Sequence, residues 1–212
     1  MSLKILHCAD LHIGKNFSYL DAQRSAERTR AAMASLSKIT AFCKENCVDA
    51  LLICGDLFDV PDPSKSDCDF VRKQLEALSP IPVYIIAGNH DHLCPQSPFC
   101  NEGYFSDNVH IFGDSESFFE IEEKNAVIWG KSYTSSSCEP SFSSCSFDSS
   151  RINIMCLHGD MLTGSDYNII NQKTLSSLPC SYAAFGHEHS FGEFSAGSVK
   201  CAYCGPPEPA SF

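Results

Sequence analysis

The stretch VYIIAGNHDHL, residues 83–93, begins as a buried strand would and turns polar within a few residues. Val83, Tyr84, Ile85 and Ile86 form a β-branched and aromatic run with Pro82 before it and Gly88 after it. Asn89, His90, Asp91 and His92 follow at the expected C-terminal end of the strand. The same design recurs along the chain. The run "KILHC", from Lys4 to Cys8, leads to Asp10 and His12, and "ALLICGD" (50–56) ends in glycine and Asp56. "INIMCLHGD" (152–160) delivers His158, and "SYAAFGHEHS" (181–190) delivers His187 and His189.

Helical stretches separate several of these runs, which is the signature of an α/β fold. One helix is expected from about Asp21 to Cys47, with Met33, Leu36, Ile39 and Cys43 marking its apolar face. Arg24 and Arg28 share another face, read as solvated. Ser64 and Asp67 resemble a capping box opening a second helix through Val71, Leu75 and Leu78, which Pro80 and Pro82 end. "NVHIF", "FFEI" and "AVIWG" (108–130) read as three short strands in a meander, and the serine-rich stretch 134–150 as a mobile loop. In open α/β sheets the C-terminal ends of the strands gather at one edge, so the five polar clusters should meet in space.

Composition sets the outer limits. The 212 residues, 43% of them apolar, suffice for one domain with a sizeable core. No apolar run reaches the roughly 18 residues of a membrane span, and the N-terminus lacks a secretory pattern. The expectation is a cytoplasmic protein. A formal net charge of -11 argues against a broad non-specific grip on nucleic acid. The 13 cysteines are odd in number, and several (Cys8, Cys54, Cys156) sit inside apolar runs, as reduced core thiols would. Cys201 and Cys204 have C-x-x-C spacing, but no second such pair follows, so a zinc knuckle is disfavoured.

The gathered clusters offer imidazole nitrogens, the carboxylates of Asp10 and Asp56, and the carboxamide oxygen of Asn89. Nitrogen and oxygen donors without thiolate suit divalent ions such as Mn, Fe, Zn or Co. Seven donors exceed what one tetrahedral ion uses, and a carboxylate can bridge two ions about 3.5–4 Å apart. Two metals are the economical reading. Each fragment alone is ordinary: D-x-H is weak, "GD" after a strand is common as a turn, and H-x-H arises by accident. Their combination, each directly after an apolar run, carries the signal.

The series "DLHIG" (10–14), "GDLFD" (55–59), "GNHD" (88–91), "LHGD" (157–160) and "GHEH" (186–189) resembles the signature of the calcineurin-like metallophosphoesterases. Within them the sequence is most similar to the SbcD-type DNA-repair exonucleases and their YhaO-like bacterial branch, through "KILHCADLHIGK", "VDALLICGDLFDVPDPS", "NHDHLCPQSPF" and "YCGPPEP". The resemblance implies a four-layer α/β/β/α sandwich with two mixed β-sheets. It implies that Asp10, His12 and His189 hold one metal, that Asn89, His158 and His187 hold the other, and that Asp56 bridges. His90 matches the family's catalytic histidine beside the scissile phosphate. A water shared by two such ions becomes the attacking hydroxide near neutral pH, and His90 stabilises charge or protonates the leaving oxygen. Asp91 either orients His90 or caps a turn, the cap being favoured, while His7, His92 and His110 fall outside the matched positions and are read as structural.

The resemblance also implies manganese as the first choice of metal, with iron or zinc acceptable, DNA as substrate, and an SMC-like ATPase of the SbcC type and a homodimer as partners. Family members of this kind continue into a capping domain, so residues 1–212 are expected to be the nuclease catalytic domain without that cap. The alternative is a phosphoesterase for a small nucleotide or another small phosphomonoester or diester. A non-catalytic scaffold is disfavoured because all seven ligands and His90 are present.

Overall fold

The computed structural model describes residues 2–138, 142, 146–161 and 168–208. β1 (Ile5–Cys8), β2 (Ala50–Cys54), β3 (Val83–Ile86) and β4 (Val109–Ile111) form one sheet in the order β1-β2-β3-β4, parallel throughout. The second sheet has the order β5-β6-β7-β8-β10-β9 and is mixed, built from β5 (Ser117–Ile121), β6 (Ala126–Gly130), β7 (Ile152–His158), β8 (Tyr182–Gly186), β9 (Gly192–Ala196) and β10 (Val199–Tyr203). The two-sheet sandwich is as expected. The first sheet departs from the expected mixed pairing because crossovers, two of them through long helices, return every strand in the same direction.

Side-chain alternation divides the core into three interfaces. Leu51, Ile53, Val83 and Ile85 face outward onto Leu36 and Cys43 of α1 (Ala22–Glu45) and Val71 and Leu75 of α2 (Lys65–Glu76). Leu52, Cys54, Tyr84 and Ile86 face inward onto Ala126, Ile128, Ile154 and Cys156. The other face of the second sheet, with Val127, Trp129, Met155 and Leu157, is covered by Leu175 of the short α3 (Gln172–Ser176) and by Phe142. Cys8, Cys54 and Cys156 are buried free thiols, as their apolar runs implied.

Both long helices start where the sequence places them. The Asp21 side chain accepts from Arg24 N, and the Ser64 side chain accepts from Asp67 N. The expected meander at 108–130 is corrected: β4 pairs with β3, and only β5 and β6 form a hairpin. Buried Phe112 and the turn after it carry the chain from one sheet to the other. The 134–150 stretch lies partly outside the described residues. The β9-β10 hairpin is an addition the sequence reading did not contain. No described helix is long and apolar enough to cross a membrane.

Candidate metal centre

β1, β2 and β3 of the first sheet and β7 and β8 of the second end at one edge, and their following residues converge there. Left-handed backbone shapes this edge. Asp10, His12, Asp56 and His187 all have positive φ, at 55°, 45°, 52° and 96°. For side chains other than glycine this conformation is strained and concentrates at functional sites. Gly55, with φ 88°, precedes Asp56, and a Cβ there would lie 2.3 Å from the His158 ring. The glycine of "GD" is thus required both for its turn and for the close approach of the second sheet.

Backbone hydrogen bonds secure the turns. Asp10 N donates to Gly55 O at 3.1 Å, and His12 N to Asp56 O at 3.0 Å. His187 N donates to the Asp10 carboxylate at 3.1 Å, and His90 N to Asp56 Oδ1 at 2.9 Å. Asp91, 1% exposed, accepts from four backbone amides: Asp56 at 3.2 Å, Leu57 at 2.8 Å, Phe58 at 3.1 Å and Gly88 at 2.7 Å. It ties the turn after β2 to the turn after β3, a double version of the expected cap. Burial and the Asp56 charge push its carboxyl up to about 7, against the pull of the Gly88 and Phe58 amides.

The side chains fall into two overlapping groups. Asp10, His12 and His189 bring one donor atom each within 4.8 Å of one another. Asn89 Oδ1 lies 2.8 Å from His158 Nε2 and 3.1 Å from His187 Nδ1. Asp56 Oδ2 stands between the groups, 3.8 Å from His12 Nε2 and 3.4 Å from His158 Nε2. The seven sequence-derived donors therefore meet at this edge, where Asp56 groups both with His12 and His90 and with Asp10 and His158. His90 is beside them, its ring 4.7 Å from that of His12 and its side chain 43% exposed.

The donor chemistry fits divalent cations. His158 Nδ1 donates to Cys54 O at 2.9 Å, which fixes the tautomer and turns Nε2 toward the oxygens of Asn89 and Asp56. Three lone-pair donors facing one another call for a positive charge between them. With protein groups alone the cluster supplies it by holding protons. Burial disfavours charge on His158, but the neighbouring Asp56 outweighs it and pushes the imidazole up to about 9. Burial pushes Asp10 up to about 7, partly offset by His158. Asp56 is held well below the carboxylate range despite its burial, because His158 and His12 flank it. His187 is pushed down to about 4 by burial and His158.

Asp59 is the site residue that sequence reasoning missed. Its Oδ1 lies 3.1 Å from His12 Nδ1, and its carbonyl oxygen 3.2 Å from His90 Nδ1. The carboxylate stands behind His12 as the outer partner of a metal-ligating imidazole does. Its signal was present as the last residue of "GDLFD", but Phe58 separates it from the polar cluster. His7, His92 and His110 have structural contacts: His7 Nε2 with Phe185 O at 3.0 Å, His92 Nδ1 with Asn89 O at 3.1 Å, and His110 stacked 5.1 Å from Tyr84. Cys201 is buried in β10, and Cys204 directs its thiol to Phe185 O.

The calcineurin-like phosphoesterase pattern matches residues 3–191. The metallophosphoesterase YhaO of Bacillus subtilis is 32% identical over 96% of this chain and 52% of its own length. The SbcD subunit of the SbcCD nuclease from the same organism is 31% identical over 52% of this chain and 27% of its own length. The chain thus spans about half the length, or less, of these curated relatives. A dimetal phosphatase from Danio rerio shares the fold, with a TM-score of 0.66 at 13% identity over 99% of this chain and 89% of that one. With a family pattern spanning nearly its whole length and groups of metal-ligand side chains assembled at the sheet edge, this chain belongs to the calcineurin-like phosphoesterase family.

Proposed function

We propose that this chain is the catalytic domain of an SbcD-type DNA nuclease that hydrolyses phosphodiester bonds with two divalent ions, manganese first among them. The observation that carries the reading is the meeting of seven donors from both sheets with His90 beside them. In it, Asp10, His12 and His189 would hold one ion, Asn89, His158 and His187 would hold the other, and Asp56 would serve both. Ions held there would lower the pKa of water and offset charge on the phosphoryl oxygens. The chain's own residues do the rest. Asp91 fixes the turns that present Asp56 and Asn89. Asp59 stands against both rings, its carboxylate 3.1 Å from His12 Nδ1 and its carbonyl oxygen 3.2 Å from His90 Nδ1, while His12 Nε2 faces Asp56 and His189. His90, the more exposed, is the proton donor to the leaving oxygen.

Similarity to a relative named as a nuclease component supports DNA over a small molecule. An ATPase partner of the SbcC type and a homodimer are parts of this reading, with residues 1–212 as the catalytic domain and any cap outside them. Free thiols in the core suit the cytoplasm. A small-molecule phosphoesterase is the second reading, favoured by the net charge of -11.

The test is hydrolysis of end-labelled linear DNA by manganese-loaded protein beside His90→Asn, with a small phosphodiester assayed in parallel. DNA degradation lost in the variant, with metal content unchanged, is the expected result. Cleavage of the small diester alone would move the reading to a small-molecule enzyme, and no hydrolysis of either by metal-loaded protein would overturn the catalytic roles.

A further inference from the structure

Lys15 follows directly on the metal-ligand motif, at the end of "DLHIGK", and its side chain is 26% exposed. Its Nζ lies 3.7 Å from Asp59 Oδ1. The same oxygen is 3.1 Å from His12 Nδ1 and 3.9 Å from His90 Nδ1. At 3.7 Å the lysine contact is longer than a hydrogen bond, so charge alone holds the ammonium and its N–H donors remain for another acceptor. Position defines what that acceptor is. His12 turns Nε2 toward His189 and Asp56, and Nδ1 toward Asp59. Lys15 therefore stands on the Asp59 side of the His12 ring, at the border of the donor cluster, where its charge still acts on His189. An oxygen of the phosphate under attack sits with the cluster, so the group that meets Lys15 is the next one along the substrate.

We propose that Lys15 is a specificity-determining residue that binds a second phosphate, adjacent to the scissile one, and so selects substrates carrying two or more linked phosphates over isolated phosphoesters. The inference rests on the two-metal phosphoesterase reading and refines its substrate class. A lysine acts as a point charge on phosphate. In a chain of net charge -11 it places a positive group beside the site without a broad basic surface. Nucleic-acid strands and nucleoside polyphosphates share this chemistry.

The test compares the manganese-loaded protein with Lys15→Gln and Lys15→Arg on three probes: bis(p-nitrophenyl) phosphate, a short oligothymidylate and adenosine diphosphate. Lys15→Gln should raise KM about tenfold on a multi-phosphate probe, the size of one lost charge-assisted hydrogen bond. Its kcat, and both constants on the single-phosphate diester, should stay within about twofold, and Lys15→Arg should restore the loss. Loss confined to the oligothymidylate assigns the second phosphate to a strand, and loss confined to the diphosphate assigns it to a nucleotide. Equal loss on all three probes would overturn the proposal by making Lys15 a support for Asp59, and no loss would overturn it outright. Equilibrium binding of the labelled oligothymidylate and of the diphosphate, with calcium in place of manganese, separates this result from the hydrolytic reading. If the wild type hydrolyses nothing, a tenfold weaker affinity in Lys15→Gln still upholds the second-phosphate site, and equal affinity removes it.

Discussion

Replacing Asp91 with asparagine tests whether one buried carboxylate holds two ligand-bearing turns in register. Asp91 Oδ1 accepts from Gly88 N and Asp56 N, and Oδ2 from Leu57 N and Phe58 N. An amide keeps one oxygen and turns an NH2 toward the other pair, leaving two buried donors unmatched whichever way it is placed. Each unmatched buried donor costs about 1–3 kcal/mol. Removing a charge that burial disfavours offsets part of this, so the expected net loss is about 2–4 kcal/mol. Denaturant unfolding of wild type and Asp91→Asn in chelator reads the stability. Competitive titration reads manganese affinity, which should fall about 10- to 100-fold as Asp56 and Asn89 shift. A stability loss below about 0.5 kcal/mol with unchanged metal affinity would refute the reasoning, since the four amides would then be satisfied without this carboxylate.

Gly88→Ala should be worse than its size suggests, because the new Cβ would lie 2.3 Å from Asp56 Oδ1 and 2.7 Å from its backbone N. The expected outcome is loss of bound manganese by elemental analysis, and full metal retention would show that the turn can yield. Metal uptake should also depend on pH. Burial pushes Asp10 up to about 7 and Asp56 holds His158 at about 9, so an incoming ion displaces protons. Affinity should fall by roughly tenfold per proton displaced for each pH unit below about 7, and a chelator competition flat from pH 8 to 6 would contradict this. His7, pushed down to about 4 by burial, gives a stability signature of the opposite kind from a salt-bridged histidine. Its folded pKa lies below its unfolded one, so the unfolded chain takes up the proton first and stability is lost as pH falls from about 6.5 toward 4. His7→Gln should remove on the order of 2 kcal/mol of that acid sensitivity, measured by unfolding in chelator, and an unchanged pH slope would rule it out.

What could be read in the sequence was what short range encodes. The run Val83–Ile86 breaks into polarity so sharply that strand and site are visible together, and Asp21 and Ser64 announce their helices by side-chain caps. Pairing partners were not visible. β4 looks like the first strand of a meander, yet it pairs with β3, because neighbours in a sheet are chosen by tertiary packing. The β9-β10 hairpin was missed because Gly192–Ala196 alternates weakly and half-buried, with little in its composition to mark it. Asp91 was recognised as a cap, but three of its four donors lie 33 to 35 residues away, a distance at which no local pattern speaks. Asp59 closes the "GDLFD" motif with no local partner, since His12, which explains it, follows another strand.

The centre draws its donors from both ends of the chain: His12 and His189 approach to 3.4 Å although 177 positions separate them. An ion held between them would be a removable cross-link between the two sheets, stabilising the folded chain because it binds that state and not the unfolded one. Neither terminal half could retain it alone. During synthesis the full ligand set exists only once His189 has emerged, and β10, which lies between β8 and β9, must still follow it.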